Sequence, residues 1–435
     1  MGTVKLVAIF THSLKHDEHY VHVEKMNSKK LSICVLLPDP FDPDMPARPA
    51  VTEIYGKYLP SFGHNVAWVT PSRKKERDFQ EHFFKEIKIY TVPYPKASSL
   101  PMKIFGLISH LIKKYRLLTT IFEGEKYDLI QVRNDIFCAL LALHIKRKYK
   151  IPFVFQYSFP KGVYKVQKPE NYYSYYFGKL ESYITKHILH RADLIFPISK
   201  WMKEELVKQG IPDSKMMPLP LGVNPELFSQ NEDGMKIREK YDLNDEQVIL
   251  YIGTMDKLRQ LDIIIRAFSK VRGHRENVKL LMVGEGNDKL NLKDLTSKLG
   301  LQNDVIFTGQ VPYFDVPDYI AAADICLCPV PPLYIYKMSS PTKLFEYMVM
   351  AKPVVANKEI PEQKEVIKES GGGILAKFEE ESFAEGIIKL LDNPDEAKEM
   401  GKRGHEWVVK NRSYEDMARQ VEKRYFELLE SYKKR

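Results

Sequence analysis

The sequence predicts an α/β protein built as two doubly wound, Rossmann-like domains that face a central cleft. Three observations predict it. Strand and helix patterns alternate from residue 31 to about residue 209, and a second alternation begins after residue 223. A rigid connector, Pro218-Leu219-Pro220-Leu221-Gly222-Val223, separates the two. Glycine turns at Gly253 and Gly284-x-Gly286 follow strands of the second half, where open parallel sheets bind ligands.

Residues 1–30 precede the first strand pattern as a leader of uncertain order. His12, His16, His19 and His22 stand there with Asp17 and Glu18, a grouping that suits either a transition metal or a solvated arm. Residues 31–37 are apolar except for Ser32, the pattern of a strand buried on both faces. A loop, a helix over about residues 50–59 and a strand at 65–70 follow. The loop, D-P-F-D-P-D-M-P-A-R-P-A, has no glycine and so does not cradle a mononucleotide. Arg48 is placed to reach an anion across the cleft, and Asp42-Pro43-Asp44 spells either a D-x-D metal signature or a Pro/Asp turn.

Residues 101–118 place Ile104, Phe105, Ile108, Leu111, Ile112 and Tyr115 on one helical face. Lys103, Lys113, Lys114 and Arg116 fill much of the remainder. Such a helix either lies on an anionic bilayer or docks on the sheet with a solvated basic back. Strands at 128–133 and 153–157 flank a helix that ends in Lys146 to Lys150. Residues 172–183 carry Tyr172, Tyr173, Tyr175, Tyr176, Phe177 and Tyr183, preceded by Lys161, Lys165 and Lys168. Interleaved aromatic and basic groups fit a headgroup-level surface or a lipid-linked acceptor. Nucleic acid fits less well, because no base-reading motif accompanies them. A strand at 193–199 ends on Ser199, the expected N-cap of a helix over 200–209.

In the second half, strands are expected at 248–252, 278–283, 305–307 and 325–329. Then comes M-S-S-P-T-K-L-F-E-Y-M-V-M-A-K-P-V-V-A, residues 338–356. Ser340 reads as an N-cap and Pro341 as the first helical position, so 342–351 should be a helix, with a buried strand starting at Pro353. A helix N-terminus attracts anions, and Lys343 adds a full positive charge to its first turn. Glu346, three residues on, shares the face of Lys343. The pair reads as contacts to a diphosphate and a ribose, or as a surface ion pair beside a capped helix. Residues 412–434 close the chain as a helix with Tyr414, Met417, Val421, Tyr425 and Leu428 at helical spacing, an apolar stripe suited to packing back on the first domain.

The chain has 435 residues, of which 44% are apolar, enough for two or three ordinary cores. The net charge of +9 is uneven. Residues 1–220 hold 34 Lys+Arg against 21 Asp+Glu, a net +13, and the rest hold 32 against 36, a net −4. The first half therefore seeks an anionic surface. Cys34, Cys138, Cys326 and Cys328 form no C-x-x-C pattern and point to a reducing, cytoplasmic setting. No signal peptide and no apolar run of about 18 residues is expected to carry the chain through a membrane.

Several separated segments together resemble one family: the retaining glycosyltransferases of sequence family 4, glycosyl transferases group 1, with GT-B architecture. The matching stretches are G-H-N-V (63–66), A-D-L-I-F-P-I-S (192–199), P-L-P-L-G-V-N-P-E-L-F (218–228) and Y-I-G-T-M-D-K-L-R-Q-L-D (251–262). They continue with L-L-M-V-G-E-G (280–286), V-I-F-T-G-Q-V (305–311), A-A-D-I-C-L-C-P (322–329) and the 338–356 stretch. In order, they span roughly residues 31–430.

The resemblance implies domains at 31–220 and 221–412, with a terminal helix at 413–435 packed back on the first. The first domain would bind an acceptor and the second a nucleotide-diphosphate sugar. The family's diphosphate-binding Arg falls on Thr254 and its Lys on Arg259, with Lys257 close by. Lys257, Arg259 and Lys343 are thus the charged groups expected to carry catalysis. Gly253, Thr254, Gly284, Gly286 and Val311 would line the donor, with Ser340, Thr342, Leu344 and Glu346. The family's two-glutamate motif keeps Glu346 but has Met338 in place of the first acid, so Ser339, Ser340 or backbone groups would meet the sugar. A family histidine falls on Ser158; Arg48, Arg133, Asp135, Tyr157 and Ser158 are the acceptor-side candidates. Ala351 stands where the family has a helix-terminal glycine.

The expected activity is sugar transfer with retention from a nucleotide-diphosphate sugar to a glycan or lipid-linked acceptor. The resemblance implies neither metal nor other cofactor. The setting would be cytoplasmic, peripheral on an anionic membrane through 101–118 and 161–183, with no nucleic acid. A nucleotide-sugar epimerase or hydrolase of the same fold would differ in needing no acceptor. A degenerate, membrane-bound binding protein would hold donor without turning it over.

Overall fold

A computed structural model describes residues 30–40, 49–72, 78–84, 86–94, 99–167, 171–229 and 233–434. The histidine-rich leader, the Asp42-Pro43-Asp44 signature, Arg48 and Lys168 lie outside the described residues.

The first half forms a seven-stranded sheet in the order β3-β4-β2-β1-β5-β6-β7. Its strands are β1 (Ser32–Leu36), β2 (Asn65–Ser72), β3 (Gln80–Phe84), β4 (Ile87–Pro93), β5 (Leu129–Arg133), β6 (Phe153–Tyr157) and β7 (Leu194–Pro197). All neighbours run parallel except β3, which pairs antiparallel with β4 at the edge. The period of two sorts the strand side chains onto two faces. Cys34 and Leu36 enter one core while Ile33 and Val35 enter the other. The β3-β4 hairpin had no counterpart in the sequence reading, because the polar edge segment Q-E-H-F-F carries no clear alternation.

The second half forms a six-stranded sheet, all parallel, in the order β10-β9-β8-β11-β12-β13. Its strands are β8 (Gln247–Ile252), β9 (Val278–Val283), β10 (Val305–Gly309), β11 (Ile325–Cys328), β12 (Val354–Asn357) and β13 (Gly373–Ala376). Two successive doubly wound sheets are what the connector and the alternation foretold. In each sheet the strand order reverses beside the first strand, between β1 and β5 and between β8 and β11. A crevice opens at such a reversal, outside the carboxyl ends of the strands.

Two chain crossings join the halves side by side: Val223 pairs with Ser413, and the Val223 amide donates to the Arg412 carbonyl at 3.1 Å. Only glycine fits at 222, since a Cβ there would stand 2.4 Å from the Arg412 oxygen. Beyond this crossing the helix Tyr414–Lys433 buries Tyr414, Met417, Val421 and Tyr425 against the far face of the first sheet. Tyr425 donates to Gln131 on β5, and His64 meets Glu422 at 2.7 Å. The four cysteines are buried and free.

The helix Leu100–Gly124 turns its faces opposite to an ordinary sheet-docked helix. Its inner side is Gly106, His110 and Lys114, giving way to Leu117, Leu118 and Ile121. Ile104, Phe105, Ile108 and Ile112 point outward, Phe105 being 74% exposed. Of the two sequence readings, docking through the apolar face is overturned for this half of the helix. Tyr172, Tyr173, Tyr176, Phe177, Leu180 and Tyr183 of the helix Tyr172–Arg191 are also exposed. Among the described residues no helix is long and apolar enough to cross a membrane.

Candidate functional site

The second sheet's crevice is built from glycine turns. Gly253, just after β8, and Gly284, just after β9, have φ of +150° and +138°, which L side chains rarely adopt. A Cβ on Gly284 would lie 2.0 Å from the Gly253 carbonyl oxygen, and one on Gly286 would lie 2.2 Å from the Met255 backbone. The Gly253 amide donates to Val283, and the Met255 amide donates to Glu285. These bonds lock two bare backbone turns side by side.

Lys343 reaches this turn. A Cβ on Gly253 would stand 2.7 Å from the ammonium, which sits over the Tyr251 ring at 4.0 Å from its centroid. The lysine belongs to the helix Thr342–Val349, whose first turn leaves amides without intrahelical partners. Burial, followed by the neighbouring Arg259 charge, lowers its pKa to about 8. Arg259 donates to the Thr254 hydroxyl at 3.2 Å and lies over the Tyr336 ring at 4.9 Å. Lys257 is exposed on the same short turn, its amide held by Asn287. Two cations therefore border the glycine turns, with Lys257 at the rim.

Glu346 is buried one turn behind Lys343 and accepts a 3.0 Å hydrogen bond from Tyr313. Burial raises its carboxyl to about 7, against the opposing pull of Tyr313 and Lys343. A surface ion pair is thus excluded: the carboxylate and the ammonium are both set into the crevice wall.

Several expected contacts are corrected. Ser340 does not cap the helix; Pro341 stands at the N-cap, and the Ser340 hydroxyl accepts from the Leu221 amide at 3.0 Å. The Ser339 hydroxyl donates to the Tyr336 carbonyl. Both serines offered for the missing acid are thereby spent on tying the loop down. Leu344 points into the core and its amide donates to Pro341, so it has no free group to offer. Thr342 and Val311 are half-buried near the crevice. Met338, at the missing acid's position, is buried against the first domain's core, and its carbonyl accepts from Ser199 at 2.9 Å. The helix ends at Val349, and Ala351 has φ +54°, the left-handed turn that the residue in place of glycine implied.

In the first half, Asp135 caps the helix Ile136–Tyr149 through the Phe137 and Cys138 amides, and Arg133 is buried against Asp39 at 3.3 Å. Tyr157 is buried on β6 and stacks on Phe155. The amides of Ser158 and Phe159 both donate to the Asn134 side chain, whose own backbone takes φ +47°. Asn134 is a positioning residue the sequence reading missed; its signal was an Asn just after a strand, a residue type that tolerates that conformation. Arg133, Asp135, Tyr157 and Ser158 therefore gather at the strand ends, but through bonds that shape the loops.

A cavity of about 550 Å³, which no sequence pattern announces, lies at the carboxyl ends of the first sheet's strands, bounded by Ser72, Tyr94, Asn134 and Asp135. His110 and Lys114 of the inverted helix line it, with Lys165 and Glu181 across the mouth. His110 donates through Nδ1 to the Pro93 carbonyl at 2.9 Å, and burial, then Lys114, lowers its pKa to about 4. Periodicity alone assigned Lys114 to a solvated basic back. Among the described residues no three His, Cys, Asp or Glu side chains gather as a metal would need.

Two family patterns match most of the chain: "Glycosyltransferase Family 4" over residues 51–227 and "Glycosyl transferases group 1" over residues 234–407. An uncharacterized glycosyltransferase of Methanocaldococcus jannaschii is 23% identical, over 83% of this chain and 89% of the relative. The alpha-monoglucosyldiacylglycerol synthase of Streptococcus pneumoniae is also 23% identical, over 82% of each. In fold, the chain superposes on a sucrose-phosphate synthase from Thermosynechococcus elongatus with a TM-score of 0.73 at 20% identity, covering 92% of this chain and all of that one.

Proposed function

The chain belongs to glycosyltransferase family 4 and is a glycosyltransferase of GT-B architecture, and on that premise we propose that it uses a nucleotide-diphosphate sugar and retains the anomeric configuration. The observation that carries this reading is Lys343, whose ammonium is half sunk between the Tyr251 ring and the Gly253 turn. A half-buried ammonium beside bare glycine turns and helix amides is a place for a diphosphate. Glu346 behind it is the hydrogen-bond acceptor for ribose hydroxyls, once Tyr313 yields its place.

Breaking the sugar–phosphate bond leaves negative charge on the departing diphosphate. Lys343, Arg259 and Lys257 stabilise that charge with the helix amides, so the reaction requires no metal in this reading. The acceptor hydroxyl forms its bond to the anomeric carbon on the face the diphosphate leaves. Its proton passes to the departing phosphate oxygen. Closure of the cleft keeps water from taking the sugar.

The acceptor in this reading is lipid-linked or membrane-proximal. Phe105, Ile108 and Ile112 on one helix and Tyr172, Tyr173 and Tyr183 on another are exposed on the basic half of the chain, around the cavity that His110 and Lys114 line. Aromatic and aliphatic groups flanked by lysines sit at the headgroup level of an anionic bilayer. The relative from Streptococcus pneumoniae, an alpha-monoglucosyldiacylglycerol synthase, agrees with this choice. Four free buried cysteines accord with the cytoplasmic side.

A panel of nucleotide sugars tests the donor reading, because a bound donor raises the unfolding temperature with its occupancy. One member should do so. Glu346→Ala should weaken that donor about tenfold, and Arg259→Ala should lower kcat/KM roughly a hundredfold with the fold intact. Wild-type kinetics in both variants would refute the site.

A further inference from the structure

Three lysines, Lys114, Lys161 and Lys165, line the first-domain cavity against two carboxylates, Asp135 and Glu181. Lys114 is 1% exposed, and its ammonium donates to the Cys138 thiol at 3.1 Å. Among the described residues no carboxylate stands within ion-pair distance of it. The two acids in the wall are already engaged. Asp135 gives one oxygen to the Phe137 and Cys138 amides, at 2.9 and 3.0 Å, and the other to the Cys138 thiol. Glu181 is held by Lys165 at 2.8 Å. His110 is neutral at physiological pH, since burial lowers its pKa to about 4.

A buried ammonium whose nearest partner is a neutral thiol is a binding group waiting for an anion. The surroundings say which anion. Leu107, Leu111, Ile136, Phe137 and Phe177 form apolar wall beside the ammonium, and the outer faces of the two helices at the mouth are themselves apolar and exposed. A small hydrated anion gains nothing from such walls. An amphiphile gains from both.

We propose that this cavity takes the headgroup of the acceptor, and that the acceptor is a lipid-linked glycan: a sugar supplies the accepting hydroxyl, the phosphate ester that joins it to a lipidic alcohol lies on Lys114, and the lipid chain leaves between the helices Leu100–Gly124 and Tyr172–Arg191. The proposal rests on the lipid-acceptor reading above and adds the charged group that reading leaves open. Lys114 is a binding residue in it, with no part in breaking the sugar–phosphate bond.

Calorimetry on the full chain with geranyl phosphate, geraniol and inorganic phosphate tests it. Geranyl phosphate should bind the wild type roughly tenfold or more tightly than geraniol or inorganic phosphate does. Lys114→Met, which keeps the packed stem and removes the charge, should lose that advantage without a lower unfolding temperature. Lys114→Gln serves as a second neutral variant if the first does not fold, and the wild-type comparison stands without either. Equal binding of geranyl phosphate to wild type and Lys114→Met overturns the assignment. So does inorganic phosphate binding as tightly as the ester, which would make the cavity a free-anion site. Nucleotide-sugar stabilisation, measured on the same samples, should be unchanged by Lys114→Met. If no nucleotide sugar binds while geranyl phosphate still depends on Lys114, the transfer reading fails and the headgroup pocket stands.

Discussion

Lys343 and Glu346 show how a site is tuned by its place. In water a lysine is charged to high pH and a glutamate to low pH; buried three residues apart, they move toward each other, to about 8 and about 7. In the proposed site a diphosphate would bind the protonated lysine, so donor affinity should be present below about pH 8 and be lost as pH rises through it. A ribose hydroxyl would donate to the ionised glutamate, so affinity should be present above about pH 7 and be lost as pH falls through it. Titration calorimetry of the stabilising donor against pH should therefore give a maximum between these values; a flat profile from pH 6 to 9 would remove both groups from the donor contact.

At the scale of the element, the helix Thr342–Val349 is held by its ends more than by its caps. Its N-cap lacks a side-chain hydrogen bond, and the loop before it is tied instead by Ser339, Ser340 and the buried Met338. After the helix, Ala351 turns left-handed where a glycine is at ease. Ala351→Gly should raise stability by up to about 1 kcal/mol in denaturant unfolding, leaving donor binding as it is. A fall in stability would show that the Ala351 methyl packs better than its backbone strain costs.

The whole molecule combines a glycine-turn crevice at one topological switch point with a cavity at the other. The second opens between two helices whose outer faces are apolar. Phe105→Ser with Tyr173→Ser, at residues 74% and 83% exposed, removes apolar area without touching either core. That double variant should lose most of its co-sedimentation with phosphatidylglycerol vesicles while keeping its unfolding temperature and nucleotide-sugar affinity. Unchanged sedimentation would place the membrane surface elsewhere.

Much of this was legible in sequence because it depends on local chemistry. Apolar runs of strand length, the Pro/Gly connector and glycines at strand ends are set by side-chain period and backbone freedom, and they announced two doubly wound sheets and the Gly253 and Gly284 turns. Ser199 as a cap was legible for the same reason. Two things were decided only by the tertiary structure. One is which face of residues 101–118 turns inward: helical period sorts residues into faces but does not say what each face meets, and here a polar face lines a cavity. The other is the fate of Ser340 and Met338, whose partners Leu221 and Ser199 lie more than a hundred residues away, across the junction of the two halves.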